Sequence, residues 1–385
     1  MRPISSSAQG FSVVALPVSV AIGLLALVFA TRLITGSEQS KQSALGGSDA
    51  MQNGMLAMFS VSNDASQAGF GLNDPIIIGC NTRFTDNAGF MLAQAPRGGA
   101  VIRPLAPAII VSNGTAPDVI SLYSGSSVTG TGTMRLATDY GGGTRLDTDR
   151  LPYGFAVGDV VVVAPEDRIG DCALAQISAP PNGNPWVMVG GGANFRYNTG
   201  ALGPSFKGSR ARIFNLGPAA TLSLHTWSVN NGFLRLRSTD MEGSSATPAT
   251  VADNIVSIKA QYGFDLRNGD TFKKRKSMQV GRWSTTMIDA DANGVTGSPG
   301  DYEHLAALRI AVVARSKTRE RPNAAGACSA TTSLPTVFAT DEPEGVTPVP
   351  MSVDVAVAND SADWRCYRYR VFETIVALRN AGWKP

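Results

Sequence analysis

Hydrophobic and polar positions divide the chain into two regimes. From Phe11 to Ala30 no side chain is charged and nearly every one is apolar, and the run reaches Ile34 with Ser12, Ser19, Thr31 and Arg32 as its polar side chains. At about 1.5 Å of rise per residue, roughly 20 such residues cross the ~30 Å hydrocarbon layer of a membrane as a helix. Pro17 lies inside the run, and its missing N–H and its ring predict a lost bond to the Val13 carbonyl and a bend at that point. Residues 37–68 contain no proline, and Met51, Met55, Met58 and Phe59 recur at helical spacing. One long helix is expected, its first half in lipid and its second half packed through this Met/Phe stripe on a globular domain. Gly46, Gly47 and Gly54 weaken it locally, by roughly 1 kcal/mol each relative to alanine. Gly69 and Gly71 close it, and Pro75 prevents its return.

From Pro75 onward the period changes to strand and turn. Short apolar runs at Ile76–Ile78, Ala108–Val111, Val119–Tyr123, Val160–Ala164, Cys172–Ile177 and Trp186–Val189 alternate with Gly, Asn, Pro and Ser clusters. Thr221–Val229 and Phe233–Leu236 flank Asn230-Asn231-Gly232, a hairpin signal. Ile255–Phe264, Leu308–Ala314 and Tyr367–Leu378 are the best later strands; in the last, Phe372 interrupts the alternation, so both of its faces are expected to be partly covered. Long loops are expected over 79–107, 124–159, 265–304 and 317–352. The fold class is therefore α+β: a long amino-terminal helix, its first half membrane-spanning, packed on a mainly antiparallel β-rich domain with long loops.

Composition narrows the chemistry. Charged residues are 16% with a net charge of +3, a profile neither disordered nor strongly attracted to any one class of partner. His225 and His304 are the only histidines, which leaves little material for His-based catalysis or a His-rich metal site. Cys80, Cys172, Cys328 and Cys366 fit an exported protein in an oxidising compartment, and none forms a C-x-x-C pair. Four cysteines allow three pairings. Cys328 and Cys366 flank a Pro-rich loop, which favours Cys328–Cys366 and Cys80–Cys172; closing the former loop stabilises by about 3–4 kcal/mol in the chain-entropy account.

Asp289-Ala-Asp291-Ala-Asn293-Gly294 repeats the opening of a calcium loop, with oxygen ligands at every second residue and a glycine at the sharp turn. The twelfth position, where a bidentate glutamate belongs, is Gly300, with Asp301 and Glu303 just beyond. An Asp/Asn/Gly cluster is equally an ordinary solvated turn, so Asp289, Asp291, Asn293 and Asp301 stand as a candidate calcium set beside that plainer reading. Lys273-Lys274-Arg275-Lys276 is a short basic run that reads as a solvated loop, and direct nucleic-acid binding is not expected. Gly130-Thr131-Gly132, Gly141-Gly142-Gly143 and Gly190-Gly191-Gly192 lack the lysine or the spacing of a nucleotide site, and no G-x-S-x-G element occurs. His304 adjoins Glu303, but adjacency does not assemble a triad. No cofactor and no enzymatic activity are expected.

A cleavable secretory signal has a shorter apolar core followed by a small-residue site. Here the processing point, Gly10-Phe11, lies before the apolar run. That order, glycine, phenylalanine, then an apolar helix, resembles the class III signal of type IV pilins and pseudopilins, which implies cleavage after Gly10 by a prepilin peptidase and methylation of Phe11. The pattern departs at Ala15, where the family usually has a glutamate, and in a leader with the single basic residue Arg2. Arg2 and Arg32 flank the span one against one, so orientation is weakly determined by charge.

Ala260–Asp265 followed by Trp283, Leu308–Ser316, Cys366–Asn380, and Val157–Ala164 leading into Asp171–Ser178 resemble blocks of PilW-type minor pilins, in that family's order. The resemblance implies a leader over 1–10, a transmembrane and assembly helix over 11–34, its periplasmic continuation over 35–70 and a β-rich domain over 71–385. It implies an inner-membrane, single-pass protein that primes assembly of a type IV pilus, enters the fibre or its tip, and serves twitching motility, adhesion and DNA uptake. Its implied partners are other minor and major pilins, the inner-membrane assembly platform and the prepilin peptidase. The alternatives are a type II secretion pseudopilin, a signal-anchored periplasmic binding protein or hydrolase, and an adhesin-like tip subunit suited by the long loops and by Ala15.

Overall fold

In the computed structural model, which describes residues 15–126, 132–179, 182–190, 194–197, 200–272, 278–323 and 325–380, one helix, α1, runs from Ala15 to Gln67. Gly10, Phe11 and Val13 lie outside the described residues, and with them the processing point and the bond expected to break at Pro17. Leu16–Ile34 is long and apolar enough to cross a membrane, and none of it is buried within the protein. After Gln67 the chain turns through Gly69 and Gly71, both at positive φ, and the Gly69 N–H donates to the Tyr123 carbonyl at 2.8 Å, which ties the helix end to a strand.

The second half of α1 docks through small residues. Ala50, Gly54, Ala57, Val61, Ala65 and Ala68 are buried, three or four positions apart, and so lie on one face. The reason for smallness is explicit at Gly54: a Cβ there would sit 2.0 Å from Cε2 of Phe372. The expected Met/Phe stripe is corrected by this arrangement. Met51, Met55 and Phe59 are exposed, and only Met58 leans onto the core. Periodicity marks a helix with an apolar side, but close approach of a helix to a sheet selects alanine and glycine, which hydropathy patterning underrates.

Three sheets receive the helix or stack beyond it. In a four-stranded sheet, Arg282–Ser284, Ile255–Phe264, Leu305–Arg315 and Tyr369–Ala377 are neighbours in that order, all antiparallel. A five-stranded antiparallel sheet orders Ala249–Asp253, Phe233–Ser238, Ser223–Asn230, Val119–Ser124 and Ala108–Val111. A six-stranded sheet orders Pro104–Leu105, Cys80–Arg83, Cys172–Gln176, Asp159–Pro165, Ala211–Pro218 and Thr133–Arg135, and only its Cys80–Arg83/Cys172–Gln176 pair is parallel. The fold is α+β, with a mostly antiparallel β-rich domain. The Ser223–Asn230/Phe233–Ser238 hairpin turns on Asn231 and Gly232, both at positive φ, as its twist demands.

Strand Asp159–Pro165 explains its unalternating valines. Val160, Val162 and Ala164 enter the main core with α1, whereas Val161 and Val163 enter a second core with Met134, Phe155 and Ile213. Both faces are dry, so no polar position is required. Two expectations need correction. Ile76–Ile78 is a turn, held where the Asp74 side chain accepts from the Ile76 N–H, and the strand starts at Cys80. The four long loops contain short elements, including strands Cys80–Arg83, Thr133–Arg135, Arg145–Asp147, Arg282–Ser284 and Thr336–Val337 and a short helix, α2, at Pro299–Glu303. Two- and three-residue strands carry too few positions to reveal a period.

Gly54→Ala should destabilise the detergent-solubilised full chain by about 1–3 kcal/mol, the ordinary cost of overpacking. Combining it with Phe372→Ala should cost less than the sum of the two single changes, measured by thermal or denaturant unfolding. Additive effects would mean that the two residues do not share a contact.

Candidate functional site: the stalk junction and the acidic loop

Where α1 meets the domain, polar side chains form a clasp within the apolar contact. The His225 ring bonds a carboxylate through each nitrogen: Nδ1 to Asp64 on α1 at 2.9 Å and Nε2 to Asp240 at 2.8 Å. Trp227 Nε1 donates to the other Asp64 oxygen at 2.6 Å. The alternation of strand Ser223–Asn230 puts His225 and Trp227 on one side of it, facing the helix. Burial alone would lower the imidazole pKa, but the bonds to Asp240 and Asp64 outweigh it and push it up to about 10. Asp240 shows the converse balance: burial favours its neutral form, yet the imidazolium and the Ser238 and Ser223 hydroxyls hold it well below the usual carboxylate range. The arrangement is a fixed cation between two anions, one on the helix and one on the domain.

The acidic loop lies at the start of strand Leu305–Arg315. Ligand atoms of Asp289, Asp291 and Asp301 all fall within 4.8 Å of one another. Such a group of carboxylates has the chemistry of a hard-cation site. Each carboxylate also has partners within the loop. Asp301 accepts from the N–H groups of Ala290 (2.6 Å) and Ser298 (2.9 Å), completing a capping box with Ser298 at the start of α2. Asp289 accepts from the Asn293 and Gly294 N–H groups, and Asp291 accepts from Asn293 Nδ2 and the Ser298 hydroxyl. Burial, then the charge of Asp291, raises the Asp301 pKa. A Cβ at Gly300 would lie 1.8 Å from an Asp291 oxygen, so a larger residue there would have to displace that carboxylate from the cluster. The loop is thus closed by its own hydrogen bonds, with Asn293 contributing its amide nitrogen to the cluster.

The remaining candidates are dispersed. Cys80 pairs with Cys172 and Cys328 with Cys366. The basic run 273–276 lies outside the described residues, as do Gly130, Thr131, Gly191 and Gly192. His304 is buried, with Nδ1 at hydrogen-bonding distance from the Asp265 carbonyl and its ring stacked on Phe272 at 3.8 Å. It is a packed structural residue, far from any triad.

Sequence reasoning missed the buried ion pairs. Lys259 is fully buried and donates to the carbonyls of Gly114 (2.8 Å) and Ala116 (2.9 Å) and to Asp118 (2.5 Å). Three acceptors for three ammonium protons offset its desolvation and fix the 113–118 turn on strand Ile255–Phe264. Arg196 clamps Asp86 through two bonds of 2.7 Å. The partners lie more than a hundred positions apart, so nothing local in the sequence announces them.

Residues 224–380 match the family model of PilW, described as Type IV Pilus-assembly protein W. That span is less than half of the chain and includes His225, Trp227, the acidic loop and the edge strand against α1. No curated protein matches the chain. Among solved structures, a type IV-like pilin from Thermus thermophilus aligns over 86% of this chain and 96% of its own, at 10% identity and a TM-score of 0.29.

The clasp predicts a pH signature. Because the folded pKa of His225 is raised above its ordinary 6.5, its stabilisation is fully present below pH 6.5 and is lost as pH rises through about 10. His225→Ala should remove that dependence and cost about 2–3 kcal/mol, since Asp64 and Asp240 lose their cation. The check is denaturant unfolding of wild type and variant across pH 6 to 10.5, about the range of the two values.

Proposed function

We propose that the protein is a minor pilin that helps prime assembly of a type IV pilus and joins its fibre. It is held first in the inner membrane by the apolar half of α1, with its β-rich domain in the periplasm. The family match over residues 224–380 supports a pilus-related role. The observation that carries the assembly role is the free side of the stalk. Met51, Met55, Leu56 and Phe59 are exposed on α1, away from the docked alanines, and they form a second apolar patch, separated from the lipid-length segment Leu16–Ile34 by a mainly polar stretch of sequence. A helix that had only to anchor a domain has no need of greasy residues there; a helix that packs against other pilin stalks does.

On this reading Gly10-Phe11 is cut by a prepilin peptidase, and the partners are other minor and major pilins and the assembly platform. Ala15, in place of a glutamate that would pair with a neighbouring amino terminus, suits a subunit near the tip. No catalytic role is assigned to any residue.

The processing arm is tested by the mature amino terminus, determined by mass spectrometry with and without the prepilin peptidase. N-methylated Phe11 that depends on the peptidase is expected, and an intact Met1 in both strains overturns it. For the assembly arm, Met55→Asp with Phe59→Asp should leave thermal stability within about 0.5 kcal/mol, as expected of exposed positions, while reducing surface pili. Unchanged piliation would remove the reason for the exposed stripe.

A further inference from the structure

The end of the domain nearest the apolar helix carries a cluster of unneutralised cations. Three contacts fix which end that is. Asn53 bonds Asp253 at 2.9 Å, Gly54 lies against Phe372, and Asn380 Nδ2 donates to the carbonyls of Ser66 and Gln67. Strand Tyr369–Ala377 therefore advances in the same sense as α1, and its start, Tyr369, is the end that faces Leu16–Ile34.

At that end two segments run together: the Ser316 N–H donates to the Arg368 carbonyl and the Glu320 N–H to the Cys366 carbonyl. Lys317, Arg319, Arg321, Arg368 and Arg370 are exposed along them. Three of the acids nearby are already paired with cations, while Asp253 at the same end is held by the side-chain amides of Asn53 and Asn254. Arg368 holds Glu320 at 2.5 Å, Arg315 holds Asp360 at 2.6 Å, and Arg365 lies 3.6 Å from Asp363. Lys317, Arg319, Arg321 and Arg370 make no ion pair among the described residues. The Cys328–Cys366 disulfide ties the two segments to each other and so keeps their cations on one edge of the domain.

We infer that this rim is a contact surface for the anionic phospholipid headgroups of the membrane in which α1 is anchored. The inference rests on reading Leu16–Ile34 as a membrane span and adds a second, electrostatic attachment to it. The reach is adequate. Ile34 to Ala50 is about 24 Å of helix, and the headgroup layer fills roughly 5–7 Å of that. Tyr369 precedes Phe372 by about 10 Å of strand, which carries the rim below the level of Gly54. A lean of α1 within the ~0–40° common to membrane helices brings the cations within the ~8 Å Debye length of the surface. Each basic side chain so placed is attracted to an anionic leaflet. Release of the rim in salt, or by a more neutral bilayer, then frees the domain to stand upright on its stalk.

The test uses the full chain with an environment-sensitive fluorophore on a Thr318→Cys substitution, reconstituted into vesicles of phosphatidylcholine alone or mixed with phosphatidylglycerol, each carrying a headgroup quencher. The chain should float with both kinds of vesicle. Quenching should be at least about twofold greater with phosphatidylglycerol, the surplus vanishing in high salt and in a Lys317→Glu, Arg319→Glu, Arg321→Glu variant. Equal quenching in both vesicles, with the chain still floating, overturns the lipid contact and leaves the anchor intact. A chain that does not float overturns the anchor reading and this inference with it. The triple variant is confined to exposed positions, and its thermal unfolding in detergent verifies that it is folded.

Discussion

Close docking of α1 on the β domain is the constraint from which the remaining features follow. The helix approaches the sheet through Ala50, Gly54, Ala57, Val61, Ala65 and Ala68, and Phe372 rests where Gly54 has no side chain. Small residues admit a close approach, but each buries little apolar area of its own. The contact is made strong by what surrounds it: larger core side chains from the sheets, the Asp64–His225–Asp240 clasp, and the backbone bond from Gly69 to Tyr123. One helix can then be two things along its length, an exposed apolar rod and a core element.

The same constraint separates the faces of the helix. Because alanine and glycine serve the domain, methionine and phenylalanine are left free at 51, 55 and 59. A stripe of that kind on a soluble monomer is a liability; on a subunit whose stalk packs with others it is the assembly surface. The charged end of the domain near Tyr369 and the acidic loop at the start of strand Leu305–Arg315 sit at opposite ends of the four-stranded sheet, so the molecule is polar along the axis of its stalk.

The long elements were legible in the sequence because their periods were long enough to count. The apolar run beyond Phe11, the strands Ile255–Phe264 and Leu305–Arg315, and the Asn231-Gly232 hairpin announce themselves through composition and turn chemistry. Phe372 interrupted the alternation of its strand because that face meets α1, whereas Val371 and Ile375 on the opposite face are exposed, so the expected cover of both faces is not found. What stayed hidden was relational. Hydropathy ranks Met55 above Ala57, yet Ala57 is buried and Met55 is not, because the distance between helix and sheet decides the choice. Nothing local in the sequence joins His225 to Asp64, which arrives from 161 positions away. The acidic loop was visible as a motif, but the backbone N–H groups that occupy its oxygens were not.

Hydrogen–deuterium exchange of the detergent-solubilised full chain tests the central claim most directly, because exchange reports the opening free energy of each segment. If α1 is a core element of the domain, amides across 54–67 should exchange as slowly as those of strand Leu305–Arg315. Rapid exchange across 54–67 while that strand stays protected would contradict the account, for the stalk would then be tethered to the domain without being packed into it.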